Sequence, residues 1–465
     1  MAILGLMSTE SVSSQRWTNI RRKVFYNYPN GAAPLIGLLS MMKEEAVNDP
    51  EFSWWEKRMK EQTTTTVAMN SAGPFGKTAA AYTTDLLSGT DDLTFSATAP
   101  TIYGLAVAAI TQIRPGHILK IKGVSNHAAT STSDVTARVV SVSATGNGNG
   151  GPIILFTVIA TSTLPKNTST TNVGLEVMVI GSAFAQGTVD LSSEVYYLPV
   201  NPGNYTQIFR TPFSFTGNAL LTPVKFDDTG IYKDKAKQHS IDHMVEIEKA
   251  FLFGIKSKTV PTGTAAPTTG VGLPLYTTDG ILNWLRTWEA GSLYENTAAT
   301  LDADDNKRII TNAAGTMSEL VYDNYLERIF RTSNNVSNEK LVLCGSGFLK
   351  VINQMYRNAS VLQYMVPNGD TFGLDLVAHK TAFGTIYYKT HPLFSQNATL
   401  RYNALFTDIH NLRYRPFDKR DTALLKDRQP RDADYRKDEW FTECGLEFRF
   451  PETFMYLQNV TSFIP

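Results

Sequence analysis

Five short patterns in this chain combine residue types that could do chemistry, and each meets a specific requirement of that chemistry or fails it. Gly76-Lys77-Thr78 has the ending of a phosphate-cradling loop, in which backbone N–H groups and a lysine hold phosphates. The loop's first glycine belongs at position 71, where Ser71 stands, and neither a strand pattern before it nor a helix pattern after it is present. Gly146-Asn147-Gly148-Asn149-Gly150-Gly151 fits dinucleotide glycine spacing, but pyrophosphate binding needs a helix N-terminus directly afterwards. Pro152 and a β-branched run follow instead, so the segment reads as a hairpin turn. Asp302, Asp304 and Asn306 occupy the first three ligand positions of a calcium loop. Its sharp turn needs glycine where Lys307 stands, and its bidentate ligand needs Glu where Ala313 stands, so the acids are expected to cap a helix. His239 and His243, four apart on a predicted helix, could reach one metal ion. Ser240 replaces the glutamate of the metalloprotease pattern and no third ligand lies nearby, so both are expected as polar residues on the helix's outer face. Gly345-Ser346-Gly347 lacks the glycine two places before the serine of a nucleophile elbow, since Cys344 is there, and Ser346 reads as a helix N-cap.

No catalytic, cofactor-binding or metal-ligating residue is therefore assigned, no cofactor is expected, and the chain is not read as an enzyme. Composition narrows the remaining classes. With 42% hydrophobic and only 18% charged residues, the chain is not held open by charge and should fold. Its 465 residues call for more than one core. Forty-three basic and 43 acidic residues cancel, which removes the global positive field of a nucleic-acid-wrapping protein. Cys344 and Cys444 are too few for a disulfide framework or a cysteine zinc site, and reduced thiols are expected. The start, MAILGLMSTESVSSQRW, has no basic flank and is interrupted by Gly5 and Ser8, unlike a signal peptide. No run approaches the roughly 20 apolar residues of a membrane span, so no membrane partner is expected and folding in a cytosol is.

The elements that must position any functional surface change character along the chain. Pro34 suits the first position of a short helix. Trp54 and Trp55 stand side by side, one suited to a core and one to anchoring something else. From about Thr63 to Val200, runs such as 118–121, 135–140 and 153–158 alternate β-branched and polar residues between Gly, Asn and Pro, as short antiparallel strands do. After Gly230 the period becomes 3.6, and residues 231–257 read as one long amphipathic helix carrying Ile241, Met244, Val245, Ile247, Phe251, Leu252 and Ile255. Thr278-Asp279 caps a shorter helix closed by Gly291, Thr316 and Glu319 have capping-box spacing, Lys340–Cys344 reads as a strand, and a helix begins at Ser346. Alternating aromatics at 385–388 and 446–450 return the chain to strands. The class is α+β. Between Arg413 and Glu439, nine basic and seven acidic residues interleave, which suits a surface meeting a complementary one, such as another copy of the chain, better than a single-signed DNA stripe.

The order of these pieces resembles the major capsid (major head) proteins of tailed bacteriophages with the Hong Kong 97 fold, in the branch with a β-rich insertion before the long helix. The residues that carry the likeness are Ala33-Pro34-Leu35, Phe52-Ser53-Trp54-Trp55-Glu56, Asn204-Tyr205-Thr206-Gln207-Ile208-Phe209, Phe213-Ser214-Phe215-Thr216-Gly217, Glu246-Ile247-Glu248-Lys249-Ala250-Phe251-Leu252-Phe253-Gly254 and Gly280-Ile281-Leu282. The resemblance implies an N-terminal arm at 1–55, two arms of an extended β-loop at 56–75 and 201–230, and an inserted small β-barrel or sandwich at 76–200. It further implies a peripheral domain with a spine helix at 231–300, an axial α/β domain at 301–440, and C-terminal strands at 441–465 returning to the peripheral domain. The implied function is self-assembly into pentamers and hexamers of an icosahedral head enclosing double-stranded DNA, without sequence-specific binding. Implied partners are copies of the chain, a portal, and scaffold or decoration proteins; the implied location is the virion, assembled in host cytoplasm. A long charged helical segment before the arm, as a fused scaffold would need, is not evident, and no Lys–Asn pair matches the covalent cross-link of one member. The alternative reading is a β-rich binding module such as a tail component or surface adhesin, forming elongated trimers or monomers. A third is a hydrolase assembled from distant segments, which requires a perturbed carboxylate or histidine in a deep pocket.

Overall fold

Strands outnumber helices, as the Thr-, Val- and Ile-rich stretches dictate, in a mixed α and β architecture. The computed structural model describes residues 33–39, 44–57, 62–67, 75–78, 84–86, 102–110, 112–125, 132–144, 151–159, 172–187, 199–222, 231–260, 272–290, 307–331, 338–358, 366–371 and 374–464. In chain order these form α1 (Pro34–Leu39), β1 (Glu51–Ser53), β2 (Thr63–Thr65), β3 (Phe75–Thr78), β4 (Thr84–Leu86), β5 (Tyr103–Ala106), β6 (His117–Ser125), β7 (Thr132–Ser143), β8 (Ile153–Val158) and β9 (Glu176–Ser182). Then come β10 (Gly203–Tyr205), β11 (Gln207–Thr216), α2 (Gly217–Leu221), the long α3 (Ile231–Phe253), β12 (Ser257–Thr259), β13 (Leu275–Thr277) and α4 (Ile281–Glu289). The remainder is β14 (Ile309–Thr311), β15 (Thr316–Met317), α5 (Glu319–Phe330), β16 (Glu339–Cys344), α6 (Ser346–Asn358), β17 (Val366–Thr371), β18 (Leu374–Lys380) and β19 (Thr385–Thr390). It ends with α7 (Pro392–Gln396), β20 (Ala404–Thr407), β21 (Leu412–Pro416), β22 (Ala423–Leu425), β23 (Tyr435–Phe448), β24 (Met455–Gln458) and β25 (Ser462–Phe463).

The chain divides into two units: Met1–Trp54, Pro202–Thr287 and Arg308–Pro465 form the first, Trp55–Asn201 and Trp288–Lys307 the second. In the second, strands pair in the order β2-β9-β6-β7-β8-β5-β3-β4. The β2 end also meets β5: Val67 N–H donates to Ala106 O at 3.0 Å and Ala108 N–H to Thr65 O at 2.9 Å. Six strands thus close into a ring, with β3 and β4 extending from β5. Leu105, Leu119, Ile121, Val135, Ala137, Val139, Ile154, Phe156 and Val177 fill its interior, the inward half of the alternation visible in the sequence. At its neck Glu56 and Val200 exchange backbone hydrogen bonds of 2.9 and 2.8 Å.

The first unit carries two main sheets. β11 runs antiparallel to β23 for ten residue pairs, from Gln207↔Cys444 to Thr216↔Tyr435, and β21 and β22 pair with the opposite edge of β23. α3 lies on this sheet, with Trp440 Nε1–H donating to Ala236 O at 3.0 Å. The other sheet has the order β14-β24-β20-β16-β19-β18-β17. Against it α5 and α6 bury Tyr322, Leu326, Ile329, Phe348, Ile352 and Met355 on Val342, Cys344, Ile386, Tyr388, Phe406 and Met455.

Several local expectations shift. α3 stops at Phe253, not at 257, because Gly254 is pressed so closely that a Cβ would lie 2.4 Å from Ala250 O and 2.6 Å from Thr278 O. Its burial is also not a simple apolar stripe: His243, Ile247, Glu248, Phe251 and Leu252 are buried, while Ile255 lies beyond it and is exposed. Thr316 is in β15, and the α5 cap is Ser318, whose Oγ accepts from Val321 N–H at 3.4 Å. Gly291 lies outside the described residues.

Candidate assembly surface

α1 begins with backbone N–H groups that no turn of its own can satisfy. Leu35 N–H donates to Glu248 Oε1 and Ile36 N–H to Glu248 Oε2, both at 2.9 Å, so a fully buried carboxylate of α3 caps a helix 213 positions upstream. His391 Nε2 donates to the same Oε1 at 2.8 Å, and its Nδ1 accepts from Leu393 N–H at 3.2 Å, which fixes the ring proton on Nε2 and caps α7. One side chain ties α1, α3 and α7 together.

β23 sorts chemistry by face, because successive side chains point oppositely. Toward α3 it presents Asp438, Trp440, Thr442, Leu446 and Phe448. Tyr232 Oη–H and Asp427 N–H donate to Asp438 at 2.5 and 2.8 Å, and Arg436 pairs with it; burial raises its carboxyl pKa, but these partners outweigh burial and hold it below the usual range. His243 is buried between Thr211 Oγ1 and Thr442 Oγ1, each 2.8 Å from a ring nitrogen, and burial lowers its pKa, so a neutral ring donates to one hydroxyl and accepts from the other. Phe448 packs with Trp54 and Trp284 at ring separations of 6.4 and 5.0 Å.

The other face carries Glu439, Glu443 and Glu447, all buried, each under arginine. Arg210 grips Glu439 with Nη2 contacts of 2.7 and 2.9 Å, and Arg428 adds a third arm at 3.3 Å. Arg420 reaches Glu443 at 2.6 Å. Arg415 and Arg449 share Glu447, while Arg415 also meets Glu45 at 3.0 Å. Much of the interleaved charge in 413–439 is therefore met inside the chain. Arg210, Arg420 and Arg428 remain half exposed above their carboxylates. Arg210 and Arg428 share Glu439, so removing either leaves that carboxylate one arginine, whereas Arg420 is the arginine described on Glu443. A second buried pair, Lys340 with Asp408 at 2.9 Å, fastens β16 to the turn after β20; burial lowers the Lys340 pKa, against the pull of Asp408.

The five sequence patterns separate cleanly. Gly76, Lys77 and Thr78 lie in the strand β3, paired with β4 and β5. Residues 146–150 and 302–306 lie outside the described residues. His239 stacks on Phe213 at 5.3 Å, and His243 is buried, which corrects the expectation that both sit on the outer face: the helix turns its histidines toward β11. The helix expected at Ser346 is α6, but Ser346 is its first residue and not its cap: Gly345 O accepts the first helical bond, from Leu349 N–H at 3.2 Å. Burial pushes the Cys344 thiol up to about 12, and the Cys444 thiol is raised for the same reason, so both are inert. Among the described residues no cluster of three or more His, Cys, Asp or Glu is arranged to hold a metal ion, and no helix is long and apolar enough to cross a membrane. Trp54 is 5% exposed and Trp55 68%, the split their adjacency suggested. Sequence reasoning missed Glu248, which has no local signal, and the even spacing of Glu439, Glu443 and Glu447, which was visible.

Such an arrangement stores its specificity in extended surfaces held by buried polar ties. The model of the SU10 major capsid protein family matches residues 15–461, and the chain belongs to that family. It is a major capsid protein, a structural component of the virion that associates with its own copies. Among curated proteins, no sequence matches. Similar solved structures include the holo-SrpI encapsulin complex of Synechococcus elongatus, at 10% identity over 58% of this chain and 80% of that one, TM-score 0.38. The satellite phage P4 procapsid is 10% identical over 60% and 79%, TM-score 0.32. A chain of Mycobacterium phage Bobi is 9% identical over 98% and 99%, TM-score 0.40. The assignment rests on the family match; a tail component or adhesin is not favoured by it.

Proposed function

We propose that copies of this chain form pentamers and hexamers of an icosahedral head of Hong Kong 97 type around double-stranded DNA, assembled in host cytoplasm with a portal and with scaffold or decoration proteins. Residues 1–55 act as an arm, and 56–62 and 201–230 as the flanks of an extended loop; the expected flank 56–75 is shortened because β2 (Thr63–Thr65) pairs into the ring, so the inserted barrel takes in 63–200. Residues 231–300 supply the peripheral domain and its spine, 301–440 the axial domain, and 441–465 the returning strands. The observation that carries the reading is the family match across residues 15–461. The buried ties support it, since a subunit engaging several neighbours needs rigid surfaces at modest individual contacts. The wall encloses DNA without reading it: balanced charge leaves few phosphate contacts to grip the genome.

Expression of the chain alone and with its neighbouring genes, followed by negative-stain microscopy, tests this. Round hollow particles or rings of five and six are expected. Solitary monomers or elongated trimers in both preparations would overturn it.

A further inference from the structure

A buried imidazole between two hydroxyls can exclude a proton or receive one, and the groups behind the hydroxyls decide which. At His243 the inner contacts are short: Thr211 Oγ1 on β11 and Thr442 Oγ1 on β23 each lie 2.8 Å from a ring nitrogen, and the ring is fully buried. Behind Thr211 stands the exposed carboxylate of Glu246, whose Oε2 accepts from Thr211 Oγ1 at 3.5 Å. Behind Thr442 stands Thr422, its Oγ1 2.9 Å away, and Thr422 Oγ1 donates to Asp421 Oδ1 at 3.5 Å. The chain thus runs from one carboxylate through Thr211, His243, Thr442 and Thr422 to another.

Each hydroxyl has a single hydrogen to place. With a neutral ring, one threonine must turn that hydrogen inward to the bare nitrogen, which weakens its outward bond; the short inner and long outer distances fit this state. A protonated ring donates from both nitrogens. Thr211 is then free to donate to Glu246, and Thr442 to donate through Thr422 to Asp421, so the added proton strands no donor in the interior. The other titratable groups on the elements around the ring are His239 and Asp242 on α3, Asp438 and Cys444 on β23, and Tyr414 on β21. His239 is stacked on Phe213, Asp438 is held by Tyr232 and Arg436, and Tyr414 donates to Asp421 Oδ1 at 2.8 Å. Arg210 and Arg420 are engaged with Glu439 and Glu443 on the opposite face of the sheet.

We propose that His243 is a proton-operated switch in the folded subunit: acid charges the ring while α3 stays docked, and both threonines turn their hydrogens outward, toward Glu246 and Asp421. The switch belongs to the single subunit and does not depend on what the subunits build. Burial opposes the charge and holds the ring below its ordinary 6.5. The unfolded chain therefore takes up the proton first, and stability present above pH 6.5 is lost as pH falls. That loss stops where the folded ring takes the proton as well, because below this point both states carry it.

The test is a histidine Cε1–H NMR titration of the full-length unassembled chain from about pH 8 to about pH 4, with His243→Gln identifying the resonance. His243 is expected to titrate below pH 6.5 while the remaining resonances keep their folded positions. Thr211→Val and Thr442→Val each remove an acceptor that the charged ring needs, and should weaken its proton affinity about tenfold or more. Glu246→Gln and Asp421→Asn leave the ring's own contacts in place and should each weaken it about threefold; a ring that is only packed would not respond to them. Should a threonine variant fail to fold, Glu246→Gln at its exposed position still decides. A His243 that stays neutral until the chain unfolds in acid would overturn the proposal, and so would an affinity unchanged in both Glu246→Gln and Asp421→Asn.

Discussion

Replacing Glu248 with alanine removes the acceptor for three donors at once: the buried N–H of Leu35 and Nε2–H of His391, and the half-buried N–H of Ile36. An unsatisfied buried donor costs about 1–3 kcal/mol, and stripping one partner from a tight buried polar cluster costs about 3–5 kcal/mol in total. The loss falls first on α1, since Leu35 and Leu39 are its main buried side chains and no cap of its own replaces Glu248. About 3 kcal/mol of lost local protection corresponds to roughly a hundredfold faster amide exchange, at 1.4 kcal/mol per factor of ten. Hydrogen-exchange mass spectrometry on unassembled subunits reads this directly in the peptide containing residues 35–39. Glu248→Gln keeps one carbonyl oxygen but turns an amide N–H₂ toward a donor, so an intermediate acceleration is expected. Glu248→Ala and His391→Ala should be non-additive by about 1–3 kcal/mol, because both remove the same bond. Unchanged protection at Leu35 and Ile36 in Glu248→Ala would refute the claim that this carboxylate anchors α1.

Acid should weaken the fold between about pH 6.5 and 4. Burial holds His379 at about 4 in the folded chain, so the unfolded chain binds its proton first, and up to about 3 kcal/mol of stability present above pH 6.5 is lost as pH falls through that window; His379→Asn should flatten the melting temperature against pH there. Trp54→Ala should cost about 3–5 kcal/mol in subunit stability, whereas Trp55→Ala should stay within about 0.5 kcal/mol by the same denaturation assay. Lys340→Met takes the ammonium from Asp408, which keeps its hydrogen bonds from His410 N–H and Asn411 Nδ2, and should cost about 3–5 kcal/mol by denaturation; adding Asp408→Asn, which keeps an acceptor for those donors, should recover part of it. Gly445→Ala would set a Cβ 2.6 Å from Phe52 Cε1 and 2.9 Å from Tyr205 O, displacing β1 at a cost of about 1–3 kcal/mol.

Periodicity carried much of the architecture into the sequence. Runs at 118–121, 135–140 and 153–158 became β6, β7 and β8; the first two alternate because one face is buried, whereas β8 buries both faces, Ile154 and Phe156 on one side and Ile153 and Leu155 on the other. The long helix was legible for the opposite reason, a switch to 3.6, yet what buries it was not. His243 and Glu248 look like surface residues by type, and only the arrival of β11, β23 and α1 from distant sequence makes them interior. In the charged stretch 413–439, Arg428 and Arg420 find carboxylates at Glu439 and Glu443, four apart on β23, and pairing across a sheet depends on register, which composition does not encode.

The paired backbone bonds between Glu56 and Val200 have a practical corollary. The two ends of the segment they bracket stand one strand spacing apart, as the ends of a hairpin loop do. Replacing that segment with a tight turn would shorten the loop that the paired ends close, and closure entropy favours the shorter loop. The same pair of ends offers a place to graft a foreign domain whose termini lie side by side, leaving the framework that folds around α3 to form by its own contacts.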